Sequence, residues 1–222
     1  MATRMPALEK LPSRRRQVTE TVRAAIISGE MEPGIVYSAP SLAEQFGVSA
    51  TPVREAMLDL AKDGLIEVVR NKGFRVLEPS DHELDEMLEL RLLLEVPTAG
   101  KVARAGAAKA KLDELRELAA ATVKAAEERD FSGHVLVDIA FHVELLGLGE
   151  NQQLVEVVRG LRLRSRLFGL GSPAKSDFLL RVSHEHERLV DMVVAKDGEG
   201  AEALMREHIL AIRREWRREQ SS

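Results

Sequence analysis

Asp138 and His142 lie in the run VLVDIAFHVELL, residues 135–146, where every other neighbour except Glu144 is apolar. Four residues apart on a helix, the two side chains stack on one face. A carboxylate buried there without a partner is costly, so the pair needs a physical reason. The remaining histidines are His82, His134, His184, His186 and His208. At helical spacing His186 shares a stripe with Leu189 and Val193, and His208 shares one with Leu204 and Ile212. One carboxylate and three imidazoles aimed inward from three helices form a coordination set for a divalent ion. Imidazole suits Zn, Ni or Mn, with open positions left for water or a ligand. The same spacing also fits four hydrogen-bonded core residues, and HEH at 184–186 presents two imidazoles on opposite helix faces.

Such a set could activate water in a metal-dependent hydrolase. Against that reading, HEHER carries Arg188 where a zinc-protease helix needs its second His, and no Glu-x-x-His pair for a di-iron bundle occurs. No general base accompanies the cluster, so the chain is not read as an enzyme.

The elements that must position these residues follow from composition and period. The 222 residues contain no Cys, which excludes disulfides and thiolate chemistry and fits a reducing cytoplasm. No apolar run is long enough to span a membrane, and MATRMPALEKLPSRRRQ lacks the apolar core of an export signal. Net charge is −4, which at first argues against nucleic acid, but residues 1–80 carry +1 and the rest −5. Composition changes near EPSDHEL, giving an expected boundary between residues 79 and 80, with Ser80 and Glu83 closing a capping box.

Before that boundary the period predicts a helix ending at Gly29, a short helix from Pro40 or Ser41 to Phe46, and a third capped by Ser49 or Thr51. LIEVV and FRVLE around RNKG then read as a two-stranded hairpin, with Gly73 available for positive φ. Three helices, a tight turn and a hairpin spell a winged helix-turn-helix. Beyond the boundary six helices are expected, near 81–106, 110–129, 132–147, 152–169, 176–196 and 199–219. Pro97 should kink the first of them, and GLGSP at 169–173 and KDGEG at 196–200 mark breaks. The expected fold is mainly α: a winged helix-turn-helix over 1–79, then an antiparallel helical bundle over 80–222.

The wording of the front unit adds to this. EPG…SLAEQFGVSATPVREAMLDLAKDGLIEVVRNKGFRV resembles the N-terminal domain of the GntR family of bacterial transcription regulators, over about residues 12–78. The resemblance implies that Thr51 and Arg54 face DNA from the recognition helix and that Gly73 belongs to the wing. Ser49, Lys72 at the wing tip and Arg15 in the Arg14–Arg16 run join them as DNA-binding candidates. Ala50 and Pro40 stand where many relatives carry basic residues, so base readout is thinner here. DIAFH at 138–142, HEH…LV at 184–190 and REHI at 206–209 resemble the FCD effector domain. Its metal-binding branch uses Asp-x3-His on one helix and two later His, matching Asp138, His142, His186 and His208; that spacing selects His186 over His184.

The resemblance further implies a cytoplasmic homodimer of repressor type on double-stranded operator DNA, with a divalent metal ion and a small carboxylic acid effector. Arg91 and Arg162 are candidate anionic partners for the effector, though exposed charges paired with Glu fit their sequence equally. A metal-free FCD regulator sensing an acyl-CoA is the alternative.

Overall fold

A computed structural model describes residues 13–166 and 176–220; of the side chains of Arg166, Ser176, Ile212 and residues 216–220 nothing further is described. The expected break at 169–173 and the N-terminal segment therefore lie outside the described residues.

In the first unit, α1 (Arg14–Ser28) starts at Ser13, whose side chain accepts from the Arg16 N–H, and buries Val18, Val22, Ile26 and Ile27. The helix α2 (Ala39–Phe46) begins earlier than expected. Ser38 is its cap, accepting from the Ser41 N–H, and Pro40 occupies the first turn, where a missing N–H costs little. Next, α3 (Ala50–Lys62) follows Ser49, which flanks the helix without a side-chain cap bond. Its buried side is Val53, Ala56, Met57 and Leu60, while Leu58 is exposed.

The sheet has three strands rather than two. β1 (Val36–Tyr37) pairs antiparallel with β3 (Gly73–Val76), which also pairs with β2 (Ile66–Val69), giving the order β1-β3-β2. Gly73 is required for this third pairing, because a Cβ there would strike the Tyr37 carbonyl oxygen. Its φ is +136°, while Asn71 takes the left-handed position of the wing turn at φ 60°.

The second unit is helical: α4 (Asp81–Ala105), α5 (Lys109–Glu127), α6 (Phe131–Gly147), α7 (Gln152–Arg166), α8 (Ser176–Ala195) and α9 (Gly198–Gln220). Ser80 and Glu83 form the reciprocal capping box at the start of α4, with the Ser80 N–H donating to Glu83 Oε2 at 2.8 Å. The helix continues through Pro97. Arg213 on α9 grips Asp85 at 2.6 Å and Asp81 at 3.1 Å, joining the last helix to the first turn of α4. Asp130 caps α6 by accepting from the Gly133 N–H, which fixes the start of the helix that carries Asp138 and His142.

The two units share one apolar core. Val22, Leu60 and Leu65 of the first are continuous with Val135, Ile139, Leu161, Leu163 and Leu179 of the second. A separate core, built around Val96, Phe141, Leu145, Leu189 and Ile209, fills the interior of the bundle. No helix among the described residues is long and apolar enough to cross a membrane.

Candidate metal centre

Asp138 and His142 of α6, His186 of α8 and His208 of α9 meet at one point, each fully buried. One donor atom from each lies within 4.8 Å of every other. His142 Nε2 stands 3.2 Å from His208 Nε2 and 3.2 Å from His186 Nε2. Asp138 Oδ1 is 3.5 Å from His186 Nε2 and 3.9 Å from His142 Nε2. Donors bound to a small divalent ion at about 2.1 Å are separated from one another by about 3.0–3.5 Å in octahedral or tetrahedral arrangements. The contacts of 3.2, 3.2 and 3.5 Å match that spacing, and the 3.9 Å pair falls between it and the roughly 4.2 Å that separates opposite octahedral positions.

Hydrogen bonding behind the rings decides where their lone pairs point. Thr122 Oγ1 donates to the Ala119 carbonyl at 2.7 Å, so at its 3.0 Å contact with His186 Nδ1 it acts as acceptor. His208 Nδ1 lies 2.8 Å from Glu185 Oε2, and a carboxylate only accepts. Both rings thus carry their proton on Nδ1 and turn bare Nε2 lone pairs inward. His142 Nε2 faces both of them, while its Nδ1 has no hydrogen-bond partner among the described residues and sits 3.9 Å from Glu95 Oε2. Burial, then the Arg162 charge, pushes the His142 pKa well below its usual 6.5. Burial likewise lowers His186 to about 4. His142 and His186 are therefore neutral near pH 7, the form a metal ligand needs.

A second buried layer holds charge. Arg162 donates from Nε to Glu95 Oε2 at 2.9 Å, contacts the same oxygen through Nη2, and reaches Asp138 Oδ2 with Nη1 at 3.3 Å. Arg91 donates from Nε to Glu95 Oε1 at 2.7 Å. Burial pushes the Glu95 carboxyl up, but Arg162 and Arg91 outweigh it and hold it below the usual range. Burial lowers Arg162 to about 10, so it stays charged. Arg91 and Arg162 are both fully buried, unlike the exposed helix charges their sequence also allowed. Arg91 Nη2 is buried and has no hydrogen-bond partner among the described residues. This layer offers fixed cationic donors beside the quartet, as an anionic ligand would need.

Sequence reasoning missed Thr122, Glu185 and the bridging role of Glu95. Each acts across helices, and the one sequence signal was an acid set between the two His of HEH. His184 is exposed and faces Glu187. His134 is buried and bonds Ser183 Oγ at 2.9 Å, outside the quartet.

The DNA-binding candidates lie on the first unit. Ser49, Thr51 and Arg54 are exposed at the front of α3, and Lys72 is exposed at the wing tip. Arg15 is exposed but already engaged: its Nε and Nη2 hold both carboxylate oxygens of Asp59 at 2.6 and 2.5 Å, tying α1 to α3.

Residues 14–76 match the family model described as bacterial regulatory proteins, gntR family, and residues 86–211 match the FCD domain. The transcriptional repressor GlaR of Escherichia coli is 30% identical, over 83% of this chain and 87% of that protein. The transcriptional regulator LutR of Bacillus subtilis is 31% identical, over 83% of this chain and 92% of its own length. Among solved structures, E. coli McbR/YncC superposes with a TM-score of 0.74 at 26% identity, covering 93% of this chain and all of that one. A winged head ahead of a helical body, both matched by family models and by full-length relatives, leaves one assignment: the chain belongs to the GntR family of bacterial regulators with an FCD domain, and is a DNA-binding transcriptional regulator rather than an enzyme.

Proposed function

We propose that this regulator senses a small carboxylic acid through a divalent ion held by Asp138, His142, His186 and His208. The observation that carries the reading is the convergence of three imidazole Nε2 atoms and one carboxylate oxygen, with Thr122 and Glu185 turning two of the lone pairs inward. A divalent ion supplies Lewis acidity and open positions for carboxylate oxygens, and Zn, Ni and Mn all suit the donors. Arg91, whose Nη2 has no partner among the described residues, and Arg162 supply cationic donors to the same ligand.

Residues 1–79 act as the DNA-reading unit and 80–222 as the effector and dimerisation unit. Thr51 and Arg54 read the major groove from the front of α3, with Ser49 and Arg15 beside them and Lys72 and Gly73 in the wing. Two copies in the cytoplasm grip a palindromic operator as a repressor. Leu90, Leu93 and Pro97, at i, i+3 and i+7 on α4, expose apolar surface, and Leu90 lines a cleft with the exposed Val157 of α7, a stripe suited to a second copy. Metal-free sensing of an acyl-CoA predicts a different response. A thermal-shift screen of small carboxylic acids, with Zn2+ present or chelated, separates the two, since a ligand of the folded state raises Tm. Acid-dependent stabilisation that vanishes with chelator supports the reading. Stabilisation by an acyl-CoA that ignores chelator overturns it.

A further inference from the structure

Arg162 and Arg164 are two residues apart on α7, about 200° around the helix, and leave it on opposite sides. Arg162 enters the buried charged layer. Arg164 reaches the DNA-reading unit. Its Cδ and Cγ lie 2.6 and 3.4 Å from where a Cβ at Gly64 would stand, so its aliphatic stem lies flat on that residue. Gly64 has φ +72°, a conformation that disfavours side chains, and it forms the turn between α3 and β2. The Gly64 N–H donates to Ala61 and the Leu65 N–H to Leu60, so the turn is the hydrogen-bonded end of the recognition helix. Leu161 and Leu163, three residues and one residue before Arg164 on α7, are buried in the same core as Leu60 and Leu65. Arg164 also lines a cleft of about 870 Å³ between the units, where Arg23 of α1 pairs with Asp63 at 2.6 Å.

We propose that Arg164 is a positioning residue: its stem on Gly64 transmits the state of the buried site to the recognition helix through a single turn of α7. This rests on reading Arg162 and the quartet as a ligand site. A helical turn is stiff, so a change in the partners of Arg162 that rotates or shifts α7 carries Arg164 with it. Gly64 has no side chain of its own, so the Arg164 stem sits directly on the backbone that ends α3. The contact is made by methylenes, which gives the proposal a sharp signature: Lys should replace Arg here, and Ala should not.

The test uses the full chain, Zn2+ alone as the probe, and the variants Arg164→Ala and Arg164→Lys. Zinc stoichiometry is measured first, then amide exchange in residues 58–69 with zinc bound and chelated. In wild type, zinc should change exchange in that segment by about fivefold or more, the lower range of allosteric couplings. Arg164→Ala should take up zinc normally and lose most of that change, and Arg164→Lys should restore it. A full response in Arg164→Ala, no restoration by Lys, or a wild-type segment unmoved by bound zinc overturns the proposal. Failure of wild type to take up zinc shows in the stoichiometry, and removes the site reading together with the coupling. A double-mutant cycle checks the contact independently of any ligand: Gly64→Ala should lower Tm more in wild type than in Arg164→Ala, where the collision is relieved. Equal losses mean that the stem does not rest on Gly64.

Discussion

Removing Glu185 tests whether the quartet is held ready for a cation by the groups behind it. Glu185 contributes no donor to the quartet, yet it fixes the His208 tautomer through the 2.8 Å contact with Nδ1. Partners behind a metal ligand are typically worth 10–100-fold in metal affinity. The Glu185 side chain retains 17% of its exposure, so in Glu185→Ala a water can reach Nδ1 and accept its proton. That places the loss near the lower end, about 10-fold. At a free zinc concentration of about 100 times the wild-type Kd, binding stabilises the fold by about 2.7 kcal/mol, and a 10-fold weaker site by about 1.4. The difference of about 1.3 kcal/mol corresponds to a zinc-induced Tm gain smaller by about 3–5 °C in a chain of this size. The assay is thermal unfolding of wild type and variant, each with chelator and with zinc, so that any loss in the metal-free protein cancels. Glu185→Gln, whose carbonyl still accepts from Nδ1–H, should fall between the two. An unchanged zinc-induced gain in Glu185→Ala would refute the argument that the second layer orients the ligands.

Three other predictions draw on different parts of the molecule. Arg54→Ala should weaken operator binding by about 1–3 kcal/mol while the helical body keeps its melting behaviour; equal affinity in a fluorescence titration would remove Arg54 from the interface. His186 holds its proton in the folded chain only near pH 4, against about 6.5 when unfolded. Between those values the unfolded state binds more protons, so stability is fully present above the window and falls as pH drops through it. The chelated protein should lose about 2 kcal/mol from this residue alone between about pH 7.5 and 5, and flat urea unfolding over that range would contradict the buried neutral ring. Arg162→Met strips Asp138 and Glu95 of a shared cation, and one-sided removal from a buried pair typically costs about 3–5 kcal/mol. Zinc should recover part of that loss by giving Asp138 a new cation, and a loss unaffected by zinc would count against the shared site.

How much of this was legible beforehand differs from residue to residue. Asp138 and His142 announce themselves because two polar groups four apart in an apolar helix share a face. His186 and His208 follow from the stripes they share with Leu189 and Leu204. The buried charge of Arg91 and Arg162 was not legible, because an Arg near Glu on a helix reads the same whether it faces water or a carboxylate across the bundle. Glu95 meets Arg162 across 67 residues, and Thr122 meets His186 across 64, separations no local period encodes. In the head, the hairpin was legible from alternation around RNKG, whereas β1 has only two residues. Its pairing depends on the close approach that Gly73 permits, which becomes visible only when the strands meet. Ser38 caps α2 from two residues ahead of Pro40, and the start signals that Pro40 and Ser41 themselves carry mask it in the sequence.

If four buried side chains form one cation site, anomalous diffraction from crystals of the full chain grown with Zn2+ will locate the ion among them. A single strong peak per chain should appear, about 2.0–2.2 Å from Nε2 of His142, His186 and His208 and from an oxygen of Asp138. A map with zinc only at surface residues such as His82 or His184, and the three inner rings hydrogen-bonded to one another, would contradict it.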